Sequence, residues 1–142
     1  MTKPHVVLIG ATGFIGTQVA AALSTAGYSL SLVSRRRERR KQTLLLPDCH
    51  VVQGNVHDRD ALAELIAGAN VVVSMAGILN ENRKGDFDRV HHQLPKNIAA
   101  ACAAAGVSRL LHLGALKAED NAPSHYLRTK AAGAQAVMAA ES

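Results

Sequence analysis

The stretch HVVLIGATGFIG, residues 5–16, decides how the rest of the chain is read. Residues 5–10 form an apolar run of strand length. Beyond the glycine-rich turn, Ile15, Val19, Leu23 and Ala26 recur at helical spacing and define a core face, until Gly27 offers a left-handed stop. The unit is strand, turn, helix, and the alternation continues to the end of the chain.

Further strands are expected at YSLSLVS (28–34), HVVQG (50–54), NVVVSMAG (70–77) and SRLLHLG (108–114). Between the second and third strands, a basic run leads into a short helix that Pro47 must end. Asp58 is suited to cap a helix that buries Ala61, Leu62, Leu65 and Ile66 and stops at Gly68. A polar loop at 80–86 gives way to a long helical stretch ending near Gly106, with a kink or late start expected at Pro95. A last helix starts near Pro123 and Ser124. Strands alternating with helices, joined by right-handed crossovers, predict an α/β fold: a doubly wound parallel sheet of five strands in the order 3-2-1-4-5, with helices on both faces. The expectation is one domain over residues 1–142.

Composition narrows the function classes. The chain is 48% hydrophobic and 19% charged, and no apolar run approaches the roughly 18 residues of a membrane span. Nothing at the N-terminus resembles a signal peptide, so a cytoplasmic location is expected. Cys49 and Cys102 lack CxxC spacing and read as buried, reduced thiols. His91 and His92 are adjacent and leave a helix in different directions, so no metal site is expected. The formal charge of +5 comes from residues 35–41, and without that run the chain is neutral. With 3% aromatic residues and no Trp, little is available to stack on bases, and nucleic acid is the weakest candidate partner.

In the glycine turn, Gly10 allows the tight bend, Gly13 lets the backbone approach a pyrophosphate, and Gly16 lets helix and strand pack closely. The helix N-terminus offers unpaired N–H groups to the anion. A dinucleotide is therefore the expected ligand. Ser34 closes the second strand about 20 residues beyond the turn, where an acid would bind the adenine ribose hydroxyls. No acid is present. Arg35 stands one residue on, where a guanidinium can pair with a 2′-phosphate, and Arg36 can assist. NADP(H) is thus favoured, with NAD(H) as the alternative, and Arg37, Arg39, Arg40 and Lys41 read as a solvated face.

The spacing GxxGxxG followed by Phe14 and Ile15 resembles the extended and atypical short-chain dehydrogenases/reductases, the group of NAD-dependent epimerases/dehydratases and their relatives. The resemblance implies that Gly10, Thr12, Gly13, Phe14, Ile15 and Gly16 surround the cofactor. GNVHD (54–58) is similar to the family's Gly-Asp-x-x-Asp, implying that Asn55 and Val56 meet the adenine, with Asn55 replacing the usual Asp. SMAG (74–77) resembles the segment lining the nicotinamide ribose, implying roles for Ala76 and Gly77. YLRTK (126–130) matches the catalytic Tyr-x-x-x-Lys, implying Tyr126 as acid/base and Lys130 as its modulator and a ribose ligand. Residues 77–102 and 124–137 look most like the branch containing the nucleotide-binding accessory subunit of respiratory complex I. The resemblance covers about the first half of a typical member and implies that the C-terminal substrate-binding part is absent.

Tyr126 and Lys130 are four apart on an expected helix and so share a face. A cation there helps a phenol give or take a proton as hydride moves. Gly114 stands where such enzymes usually carry a Ser or Thr that holds the substrate oxygen. His91 takes the place of a structural Asn and reads as a helical His with a satisfied hydrogen bond. His112 reads as packing. Two functions follow: an NAD(P)-dependent oxidoreductase or epimerase/dehydratase acting on a small carbonyl or sugar-nucleotide substrate, or a non-catalytic dinucleotide-binding module serving a respiratory or other assembly.

Overall fold

Val6, Val7, Leu8 and Ile9 are all buried, and a strand without a polar face belongs inside a sheet covered on both sides. The computed structural model, which describes residues 3–10, 14–34, 46–78, 81–115 and 118–140, contains that sheet. In chain order the elements are β1 (His5–Ile9), α1 (Phe14–Thr25), β2 (Ser29–Ser34), β3 (Cys49–Gln53), α2 (Arg59–Ile66) and β4 (Val71–Ser74). There follow a single turn α3 (Asp86–Asp88), a π-helical turn (Arg89–Gln93), α4 (Leu94–Ala105), β5 (Arg109–His112) and α5 (His125–Ala139). The strands are parallel in the order β3-β2-β1-β4-β5, as the sequence predicts. The helix expected within the basic run lies outside the described residues.

Alternate residues of each strand feed two cores. Val6, Leu8, Leu30, Leu32 and Val51 face Ala20, Val19 and Leu23 of α1. Val7, Ile9, Val33 and Val72 face Leu62 and Ile66 of α2 and Leu94, Ile98 and Cys102 of α4. α5 packs across α4 and the π-turn. β1 lies between β2 and β4, so its carboxyl end marks the point where the strand order reverses and a crevice opens.

Local signals set the element ends. The Asp58 carboxylate accepts from the N–H groups of Asp60 (2.9 Å) and Ala61 (3.2 Å), capping α2. Ser124 Oγ accepts from Leu127 N–H at 3.1 Å and starts α5. Gly27, after α1, has φ +94°, the left-handed geometry expected of a stop.

Two expectations need correction. Ile15, placed on the core face of α1, is 55% exposed. It borders an open apolar cleft of about 350 Å³ with Met75, Leu111 and Leu113, because α1 packs over β1 and β2 and, among the described residues, nothing covers the β4–β5 part of that face. The fourth strand ends at Ser74 rather than at residue 77. Met75 N–H still bonds Ile9 O at 2.8 Å, but the chain then leaves the ladder to form the rim of the crevice.

Candidate functional site

The carboxyl ends of β1, β4 and β5 converge with the N-terminus of α1 and the first turns of α5. Gly10 closes β1 with φ +83°, and a Cβ there would overlap the backbone N and Cα of Ala76. Its small size thus serves a close approach between the ends of β1 and β4 as well as the bend. Ala76 is buried, as is Gly16 in the first turn of α1. Thr12, Gly13, the side chain of Phe14, Arg35 and Arg36 lie outside the described residues. Ile15 turns its side chain away from this crevice into the apolar cleft.

At the end of β3 a second hollow, of about 480 Å³, is lined by Gln53, Gly54, Asn55, His57 and Arg89. Asn55 Oδ1 accepts from His57 N–H at 3.0 Å, an Asx turn that fixes its carboxamide at the rim. Val56 is half-buried against the core. Arg89 approaches from the π-turn, 36 residues further along the chain than Gln53, and no local signal marks it.

α5 carries the other candidates. Lys130 is 4% exposed, and its Nζ donates to Leu113 O at 3.2 Å. Burial holds its pKa below the usual lysine value. A Cβ on Gly77 would stand 3.9 Å from that Nζ and 3.8 Å from His91 Nε2, so Gly77 lies beside both nitrogens just past the end of β4. Tyr126, one turn before Lys130, is half-buried and meets His91 edge-on, with centroids 4.9 Å apart at 83°.

His91 is fully buried. Ile78 N–H donates to its Nε2 at 3.0 Å. An acceptor at Nε2 of a neutral ring puts the proton on Nδ1, which donates to Thr129 Oγ1 at 3.0 Å. The Thr129 hydroxyl in turn faces the carbonyls of His125 (3.0 Å) and Tyr126 (2.9 Å). Burial, with the charge of Lys130 adding, lowers the His91 pKa to about 4, so the ring is neutral at physiological pH. Phe87 stacks on it at 5.3 Å and 13°. Phe87, one helical turn before His91, was open to detection by spacing; Thr129, 38 residues away, was not.

His112 does more than pack. Its Nδ1 bonds Ser74 Oγ at 3.1 Å, while its buried Nε2 has no partner among the described residues. Burial, then Lys130, lowers its pKa to about 4. Nothing stands within 4 Å of a Cβ built on Gly114, so that position is open but supplies no hydroxyl. His92 points away from His91 to Asp88 (3.0 Å), and no cluster of three or more His, Cys, Asp or Glu capable of holding a metal occurs among the described residues.

A strand ending in Gly10 and a helix carrying Gly16 at the reversal point of a parallel sheet, with a lysine buried near the ends of β4 and β5, define a Rossmann-type dinucleotide-binding domain. Residues 10–142 match the family model described as NAD(P)H-binding, and the chain belongs to that family. It is 31% identical over 134 residues to the mitochondrial NADH dehydrogenase [ubiquinone] 1 alpha subcomplex subunit 9 of Mus musculus, covering 92% of this chain and 36% of the relative. It is 32% identical over 136 residues to the ceramide reductase of Caulobacter vibrioides, covering 96% of this chain and 42% of the relative. Among solved structures, the UDP-glucuronic acid 4-epimerase of Bacillus cereus in complex with NAD superposes with a TM-score of 0.77 at 19% identity, over 96% of this chain and 52% of the epimerase. The chain thus spans less than half the length of these two sequence relatives. Among the described residues no helix is long and apolar enough to cross a membrane.

Proposed function

We propose that this domain binds NADP(H) in preference to NAD(H) and forms the cofactor-binding part of a carbonyl reductase of the epimerase/dehydratase type. The observation that carries the reading is Lys130: an ammonium group desolvated at the ends of β4 and β5, beside Gly77. A buried cation requires polar partners, and ribose hydroxyls meet that need. Gly10, Gly16, Ala76 and Gly77 keep the crevice narrow enough for backbone contact with a pyrophosphate, Asn55 and Val56 would border the adenine, and Lys130 would hold the nicotinamide ribose. When bound, the nicotinamide ring supplies the hydride. Tyr126 would donate a proton to the carbonyl oxygen as its carbon accepts the hydride, and solvent would then return a proton to the phenolate, with Lys130 on the same helix as its modulator. The preference for NADP(H) rests on Arg35 and Arg36 standing where an acid would select NAD(H). The relatives named ceramide reductase and (4-alkanoyl-5-oxo-2,5-dihydrofuran-3-yl)methyl phosphate reductase support a reductase. The buried free thiols of Cys49 and Cys102 suit a reducing, cytoplasmic setting.

A second reading, a non-catalytic dinucleotide module within an assembly, is favoured by Gly114 and by the likeness to the complex I subunit. Assays of NADPH oxidation with a panel of ketones and aldehydes separate the two. Turnover abolished in Tyr126→Phe with NADPH affinity retained supports the reductase; NADPH binding without turnover on any carbonyl supports the module. No thermal stabilisation at millimolar NADPH or NADH refutes both.

A further inference from the structure

His91 reaches the interior through an irregularity of its own helix. Pro95, four residues on, has no N–H to offer the His91 carbonyl, and the backbone widens into the π-turn, where Leu94 N–H reaches back five residues to Arg89 O. Both ring nitrogens are then committed, Nε2 to Ile78 just past β4 and Nδ1 to Thr129 in α5. Phe87 covers one ring face and Tyr126 meets the ring edge-on. With no nitrogen left for a substrate, the imidazole is fitted to hold two elements at a set separation.

We propose that His91 is a positioning residue for the nicotinamide half of the cofactor, clamping the backbone of Gly77 and Ile78 to the turn of α5 that carries Tyr126 and Lys130. This rests on the cofactor-binding reading above. The ribose site lies between the two clamped elements, so the distance from Gly77 to Lys130 sets whether one ribose can meet both. The adenine half, bordered by the end of β3, lies outside the clamp.

The test is calorimetric titration of wild type, His91→Phe, His91→Gln and His91→Asn with NADPH and with 2′-phospho-ADP, which lacks the nicotinamide riboside, alongside the unliganded Tm of each. Phe keeps the stacked shape and loses both hydrogen bonds. Gln offers an acceptor near the Nε2 position, and Asn a donor near Nδ1 only. The expected result for Phe is a loss of about tenfold in NADPH affinity, the scale of one unmade buried hydrogen bond, with the fragment unchanged within about twofold. His91→Gln should return NADPH binding to within about threefold of wild type, while His91→Asn should not. Equal losses of both ligands, no loss of NADPH affinity in any variant, or identical behaviour of Gln and Asn overturns the proposal. If Phe does not fold, the Gln and Asn comparison decides. Wild type that binds neither ligand refutes the cofactor reading itself.

Discussion

Gly133 of α5 lies directly against the backbone carbonyl of His91, so close that a Cβ at position 133 would overlap that oxygen, with the carbonyl carbon at 3.0 Å and Pro95 Cγ at 3.5 Å. The helix carrying Tyr126 and Lys130 therefore meets the π-turn backbone to backbone. Gly133→Ala should force the two apart, destabilising the fold by about 1–3 kcal/mol in urea titration. NADPH affinity of the folded fraction should fall as well. The exposed Met138→Ala on the same helix should change stability by less than about 0.5 kcal/mol, and a similar loss in both variants would refute the close-approach account.

Gly114 borders open space and does not hold a positive φ, so Gly114→Ser needs no adjustment of its neighbours. Stability should stay within about 0.5 kcal/mol of wild type. If Tyr126 donates a proton to a carbonyl, the added hydroxyl should raise kcat for NADPH-dependent reduction, by up to the 10²-fold scale of one oxyanion donor. An unchanged or lower kcat in a folded, NADPH-binding variant would argue that the open position serves another purpose.

Acid should weaken the fold through two histidines. His91 and His112 both have folded pKa values of about 4, below the unfolded value near 6.5. Between pH 6.5 and 4 the unfolded chain therefore binds more protons, and the stability present above pH 6.5 is lost as the pH falls through that window. Allowing for the partial exposure of His112, the combined loss by pH 4.5 should be roughly 2–4 kcal/mol. Urea midpoints measured from pH 7.5 to 4.5 would show it, and a flat profile would mean that the two rings are solvated.

Cofactor choice is tested at Arg35. Arg35→Ala should weaken NADPH by at least about tenfold more than NADH, since only the former carries the 2′-phosphate. Equal losses in parallel titrations would assign the arginine to the adenine ring or to general steering of anions.

What the sequence determined by itself is local or topological. The spacing of Gly10 and Gly16, the apolar runs and the helical period of α2 and α4 come from interactions within a few residues, and so do the Asp58 and Ser124 caps. The strand order then follows from the handedness of crossovers. The helix that carries both Tyr126 and Lys130 was legible for the same reason, since Ser124 caps it locally. Tertiary structure alone decided the rest. The sequence placed Ile15 in the core by period, yet the coverage of a sheet face depends on where helices dock, and among the described residues none covers the β4–β5 side there. His91 was legible as a hydrogen-bonded helical histidine, but its partners Ile78 and Thr129 lie 13 and 38 residues away and are set by the crossing of α5 over the π-turn. Gly10 was readable as a bend, while its contact with Ala76 exists only because β1 and β4 are neighbours. Periodicity records which face of an element is buried; which side chain from a distant element meets it there is set by the packing of whole helices and strands.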